Sequence, residues 1–316
     1  MSSRGRVFVV VALAAAVVSG VVVVGVLATR GHVPAAPEPR AGRPPISLYF
    51  GVRGDPETRA LERALRLYSA KHVDAARKIF DRYHSLEAEV GAAMAAWPDA
   101  TLERLGRLAA GNPNSALVRL NLGIALSSAG RNQQALAAWR QAKRTQPDSL
   151  SAVRADDLLH QNYAPGRPTF VPSFGAPPRL SRLSPRRQLA ELERGRTVRT
   201  RLLYGVVLQR LGKPISAERA YTAAAALAPN DPEPQVAAAV ARFDKEHPER
   251  AFSRLGPLTR RFPHAATVRF HLGLLLLWLG QVNEGRRQLQ LARTVAPQTP
   301  LALEAARFLR KLGPKR

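Results

Sequence analysis

The feature that most constrains this chain is repetition. "VRLNLGIAL" begins at residue 118, and "VRFHLGLLL" begins 150 residues later at residue 268. The same offset lays "RLG" at 104–106 on "RLG" at 254–256 and pairs Pro98 with Pro248, Pro113 with Pro263, Pro147 with Pro297 and Leu159 with Leu309. One offset held over so long a stretch reads as a tandem duplication, roughly residues 57–160 and 198–312.

A shorter period lies inside each half. Pro229, Pro263 and Pro297 stand 34 residues apart, while Gly205 and Gly273, like Gly212 and Gly280, stand 68 apart. In an Ala-, Leu- and Arg-rich chain without strand alternation, a 34-residue period predicts stacked helical hairpins. The fold class expected is all-α.

These residues resemble the tetratricopeptide repeat. Residues 116–149 supply Leu122-Gly123, Leu126, Ala135, Trp139, Ala142 and Pro147; residues 198–231 supply Tyr204-Gly205, Leu208, Ala217, Tyr221, Ala224 and Pro229. Residues 266–299 supply Leu272-Gly273, Leu276, Leu289, Ala292 and Pro297, with Gly285 where the family prefers Ala. Three further units, near 57–84, 82–115 and 232–265, keep only parts of the pattern. The resemblance implies a solenoid of helical hairpins in two duplicated halves, with about three repeats in each. It also implies that small residues such as Gly123 and Ala135 let the two helices of a hairpin lie close, while Trp139 fills the gap to the next hairpin. A proline such as Pro147 cannot continue the second helix and sets the turn. Each half ends in one further amphipathic helix, at 149–160 and 300–312, which reads as a cap over an otherwise bare apolar edge.

Residues 7–28 hold 22 uncharged positions, which as a helix would span roughly 33 Å. The segment reads as a transmembrane helix after a cytoplasmic tail at 1–6, with a cleaved secretory signal as the alternative. It predicts a single-pass cell-membrane protein whose body lies outside the cytoplasm. Residues 29–56, with Pro34, Pro37, Pro39, Pro44 and Pro45, read as a stiff extended spacer. The linker at 161–197 contains six prolines between 162 and 185, then resumes helicity with Ser184 as N-cap and Pro185 in the first turn. It also contains Tyr163, Phe170, Val171 and Phe174, which are expected either to pack on the end of the first half or to form a binding loop.

The chain carries 48 Lys+Arg against 23 Asp+Glu, a net charge of +25, and 41 of the basic residues are Arg. A basic patch is expected at Arg179, Arg182, Arg186, Arg187, Arg194 and Arg196, and a basic tail at 313–316. No aromatic residues interleave the Arg runs as nucleic-acid binding would require, so that partner is not expected. There is no cysteine, which excludes thiol catalysis and Cys-ligated zinc. No phosphate-cradling loop, zinc-protease motif or nucleophile elbow occurs. Asp156, Asp157 and His160 form the one local acid/His cluster, and a solvated helix explains it better than a metal site. No catalytic residue, metal or cofactor is expected.

The family resemblance implies that function lies on the concave face lined by the first helix of each hairpin. That places Asn121, Ile124 and Ser128, then Gln209 and Arg210, then Phe243, and finally His271, Leu274 and Trp278 in a groove of mixed apolar, amide and aromatic character. Such a groove suits an extended peptide or helix of an envelope partner, with aromatics burying area and amides satisfying backbone. The chain then acts as a non-enzymatic adaptor. The alternative is a protein that binds polyanions or anionic lipid through its Arg patches.

Overall fold

The computed structural model describes residues 42–313. Among them are sixteen helices and no strand. The described chain divides into two compact units, one ending at Leu159 and one beginning at His160.

The first unit contains three hairpins: α1 (Pro56–Ser69) with α2 (Val73–Phe80), α3 (Leu86–Ala95) with α4 (Thr101–Gly111), and α5 (Ala116–Ser128) with α6 (Asn132–Thr145). α7 (Leu150–Leu159) packs on α5 and α6 and closes the stack. The second unit opens with two short helices, α8 (Pro178–Ser181) and α9 (Pro185–Glu193). Three hairpins follow: α10 (Val198–Arg210) with α11 (Pro214–Leu227), α12 (Pro232–Ala241) with α13 (Glu249–Arg261), and α14 (Ala266–Trp278) with α15 (Val282–Val295). α16 (Pro300–Lys311) covers α14 and α15.

Hairpin starts show the period directly. In the second unit they fall at Val198, Pro232 and Ala266, with the closing helix at Pro300, a strict 34-residue step. In the first unit the starts at Pro56, Leu86 and Ala116 are only 30 apart, because α2 and α4 are shorter than α11 and α13 and the turn between α3 and α4 is tighter. This explains why the repeat pattern fades there.

Local chemistry fixes the helix ends. Ser115 and Asp55 accept the backbone N–H groups of Val118 and Thr58, and Thr197 forms a reciprocal box with Thr200. Ser184 occupies the N-cap of α9 with Pro185 in the first turn, though without a side-chain bond. Four hairpins turn the same way: the N–H groups of His72, Arg131, Lys213 and Gln281 bond to the carbonyls of Leu67, Leu126, Leu208 and Leu276. This turn needs one left-handed residue, supplied by Gly130, Gly212 and Gly280 but by Lys71 in the first hairpin.

Inside a hairpin the glycine and the aromatic belong together. A Cβ on Gly123 would lie 2.3 Å from Trp139 Nε1, and one on Gly205 would lie 2.3 Å from Tyr221. The Trp139 indole donates to the Leu120 carbonyl at 3.3 Å. The large ring therefore seats on the glycine of its own hairpin. Both rings are buried in the cores of their units.

Two expectations from the N-terminal region are corrected. Among the described residues no helix is long and apolar enough to cross a membrane. The single-pass membrane placement rested on residues 7–28, which lie outside the described residues; it is withdrawn, along with the envelope partner that depended on it. Residues 43–50 do not act as a free spacer either. Pro44 and Leu48 are buried in the first unit, and Ile46, Tyr49 and Phe50 pack against its core.

Candidate functional site

In each unit the first helices of the hairpins form a groove, and a non-helical stretch of the same unit lies in it. In the first unit this strap is "PPISLYF", residues 44–50. Asn121 on α5, fully buried, holds it by the backbone: its Oδ1 accepts the Ser47 N–H and its Nδ2 donates to the Ser47 carbonyl, both at 2.9 Å. The same Nδ2 also reaches the Leu117 carbonyl, so the amide is satisfied on both sides. The Tyr68 hydroxyl on α1 donates to the Pro44 carbonyl at 2.6 Å, and burial pushes its pKa up to about 12. Arg43 donates to the Ala95 carbonyl at the end of α3. Burial also raises the pKa of Tyr49, opposed by Arg154 of α7.

In the second unit the strap is "PTFVPSF", residues 168–174. Gln209 on α10 repeats the two-way clamp, accepting the Phe170 N–H at 3.0 Å and donating to its carbonyl at 3.2 Å. The Tyr221 hydroxyl donates to the same Gln209 oxygen at 3.3 Å. The Phe170 ring is fully buried, stacked on His271 at 5.1 Å and edge-on to Tyr221 at 5.4 Å. His271 on α14 takes the Val171 N–H on Nε2 at 2.9 Å. Because that nitrogen accepts, Nδ1 carries the proton and donates to the Thr267 carbonyl at 2.7 Å. Burial lowers the His271 pKa to about 4, which keeps the ring neutral and the bond in place.

Further along, Glu233 in the first turn of α12 accepts the Ser173 N–H at 2.5 Å. Arg199 lies over the Phe174 ring at 4.4 Å and donates to the Gly175 carbonyl at 3.0 Å. At the other end Arg167 donates to the Phe243 carbonyl. Tyr163 packs edge-on to Phe243, which in turn meets Trp278 at 5.8 Å. The apolar linker residues thus pack into the core of the second unit.

The straps correspond. Asn121 and His271 occupy the same place in the duplication, and each accepts a strap N–H, from Ser47 and Val171. Aligned on that pair, Pro44 meets Pro168 and Phe50 meets Phe174. Val171 stands farther from its first hairpin than Ser47 does, and the extra length contains α8 and α9.

Of the residues expected in the groove, Asn121, Gln209 and His271 touch the strap by side-chain bonds, and the Phe243 carbonyl accepts from Arg167 just before it. Trp278 is buried behind Phe243, with the Lys245 ammonium 5.9 Å from its ring. Ile124 and Leu274 are buried in their unit cores, and Ser128 is half-buried at the end of α5. Arg210 donates from its guanidinium to Gln188 of α9. Glu233 and Tyr68 were missed. Glu233 sits on the groove-lining side of its repeat and was legible by the same register that gives Gln209. The straps' own residues could have been found by laying the two proline-rich stretches on each other.

Arg179, Arg182, Arg186, Arg187, Arg194 and Arg196 are all exposed around α8 and α9, whose inner side is held by Leu180, Gln188 and Leu192. Arg179 lies 3.6 Å from Glu191, an exposed pair of small energetic weight. Asp156 pairs with Lys143 at 2.9 Å and Asp157 lies 3.6 Å from Arg154. His160 stands 3.9 Å from Glu246. Among the described residues no group of three or more His, Asp or Glu is placed to hold a metal ion.

No protein-family model and no curated protein matches this chain. Solved structures do. YrrB, a tetratricopeptide repeat protein with an unusual peptide-binding site, is 18% identical with a TM-score of 0.32, covering 65% of this chain and 99% of its own. A tetratricopeptide repeat protein from Parabacteroides merdae is 13% identical with a TM-score of 0.32, covering 83% and 100%. The TPR2AB domain of yeast Sti1, solved as a complex with pHSP90, is 12% identical with a TM-score of 0.31, covering 82% and 98%. At scores this low, none of these likenesses bears on what this chain binds.

Proposed function

We infer that this chain, built of tetratricopeptide-type repeats, is a non-enzymatic protein-interaction scaffold whose groove is made to hold a non-helical peptide segment. One observation supports this reading above the others: both halves grip a strap by its backbone, through Asn121 in one and Gln209 and His271 in the other. Side chains that bond a peptide's own N–H and C=O groups accept any segment of suitable course, and apolar pockets then select among sequences. In the resting molecule the straps fill those places. A partner segment competes with a tethered occupant at high effective concentration, so its affinity for the intact chain is modest.

Selection of displayed random peptides against the full chain tests this. The expected result is enrichment of segments with a proline and a large apolar residue two positions on, displaced by free peptide 167–175 and insensitive to salt. Failure to enrich any segment that this peptide displaces overturns the reading. The six exposed arginines of α8 and α9 favour one rival, a polyanion-binding surface. That rival predicts capture of polyphosphate or anionic vesicles that falls steeply as salt rises.

A further inference from the structure

We propose that the second-half groove takes, in place of its own strap, an external peptide segment that carries Lys or Arg where the strap has Ser173. This rests on the reading of that groove as a peptide site, and it names the partner's chemistry.

The argument starts from Glu233, which is only 8% exposed. Its carboxylate faces the strap and accepts the backbone N–H of Ser173 there, and the Ser173 side chain also acts on it. Among the described residues the charged neighbour that acts on it is another acid, Asp231, with no cation beside it. Burial raises its pKa, Asp231 adds to the rise, and Ser173 only partly offsets it. A buried carboxylate with hydrogen bonds but no counterion is an incomplete arrangement. The missing group is a cation, and the side chain at the Ser173 position is the one aimed at it.

The arginine that meets the strap beside Ser173 is committed elsewhere: Arg199 is bound to Gly175 and lies over Phe174. The rest of the recognition is already defined by the strap. Pro168 and Phe170 are buried, and Phe170 sits between Tyr221 and His271. Phe174 meets Arg199. The segment that fits is therefore proline, any residue, a large aromatic, two residues, a basic residue and an aromatic. The strap matches it at every place except the basic one. A cis occupant lacking one favourable contact holds the groove but yields to a partner that has it.

Fluorescence anisotropy with two labelled peptides tests this: residues 167–175 as they stand, and the same peptide with Ser173→Lys. Both are titrated into the full chain carrying Phe170→Ala, which weakens the strap, and into that chain with Glu233→Gln added. The expected result is at least tenfold tighter binding of the lysine peptide to the first chain, with the preference abolished by Glu233→Gln while the unchanged peptide still binds. Equal binding of the two peptides, or a preference that survives Glu233→Gln, overturns the proposal and leaves the peptide groove standing. If neither peptide binds a chain that circular dichroism shows to be folded, the groove reading itself fails. Where Phe170→Ala does not fold, Ser173→Lys in the otherwise intact chain reads the same contact. Exchange of the Val171 and Ser173 amides is then expected to slow about tenfold, and the slowing to vanish with Glu233→Gln; unchanged exchange overturns the proposal.

Discussion

The two grooves do the same thing with different chemistry. In the first half a carboxamide and a phenol hold the strap, and neither titrates near neutrality. In the second half a carboxamide is joined by a buried imidazole and a buried carboxylate. Strap and groove thus recur in both halves, while the gripping residue differs at one matched place, Asn121 in one half and His271 in the other. The lesson is that backbone recognition asks only for a donor or acceptor in the right position. What else that residue brings, here a titratable proton, is free to differ.

The largest effect should come from the strap anchors. Phe170→Ala removes a fully buried ring and is expected to cost about 3–5 kcal/mol, against about 2–4 kcal/mol for Leu48→Ala in the first half. Denaturant titration read by Trp278 for the second half and Trp139 for the first would measure both. Equal losses would break the view that the second groove is the more aromatic clamp.

Acidification should separate the halves next. The His271 pKa is lowered from 6.5 to about 4 by burial, so the unfolded chain binds a proton that the folded chain refuses between those values. The contribution of neutral His271 is complete above about pH 6.5 and is lost as pH falls toward 4, an effect of about 3 kcal/mol. Glu233 acts in the opposite sense: its pKa is raised, so its penalty is relieved as pH falls through the raised value. His271→Asn installs the first half's residue and should flatten the loss between pH 6.5 and 4. Amide exchange at Val171 against Ser47 across that range is the measurement, and a parallel loss in both halves would contradict the assignment.

A smaller change is expected from the clamps that the halves share. Asn121→Ala and Gln209→Ala each leave a strap N–H and carbonyl without partners, at about 1–3 kcal/mol. The test is thermal unfolding of each variant, and proteolysis should cut first at the strap that was released. The smallest effect concerns the turns. Lys71 is left-handed at φ 68° where the matching turns have Gly130, Gly212 and Gly280. Lys71→Gly should raise the stability of the first half by up to about 1 kcal/mol, visible as a small rise in its melting midpoint.

Much of the fold was legible because its causes are local. A 34-residue step, a glycine opposite a large ring, and a proline after the second helix each act over a few turns of chain, so they leave a periodic trace in the residues. The trace faded in the first half for an equally local reason: hairpins spaced 30 residues apart cannot align on a 34-residue template. Groove positions followed from the same register, which is why Asn121, Gln209 and His271 were found while Arg210, one residue past Gln209, turned to α9 instead.

The sequence by itself determined hairpins, duplication and the groove-facing amides, since helix period and side-chain size are written residue by residue. Tertiary structure alone decided what fills the grooves, which tautomer His271 adopts and that Glu233 is buried. The strap contacts join residues 24 to 100 positions apart. They run through backbone N–H and C=O groups that almost every residue possesses, so their docking leaves no pattern in the sequence until the folded groove brings them together.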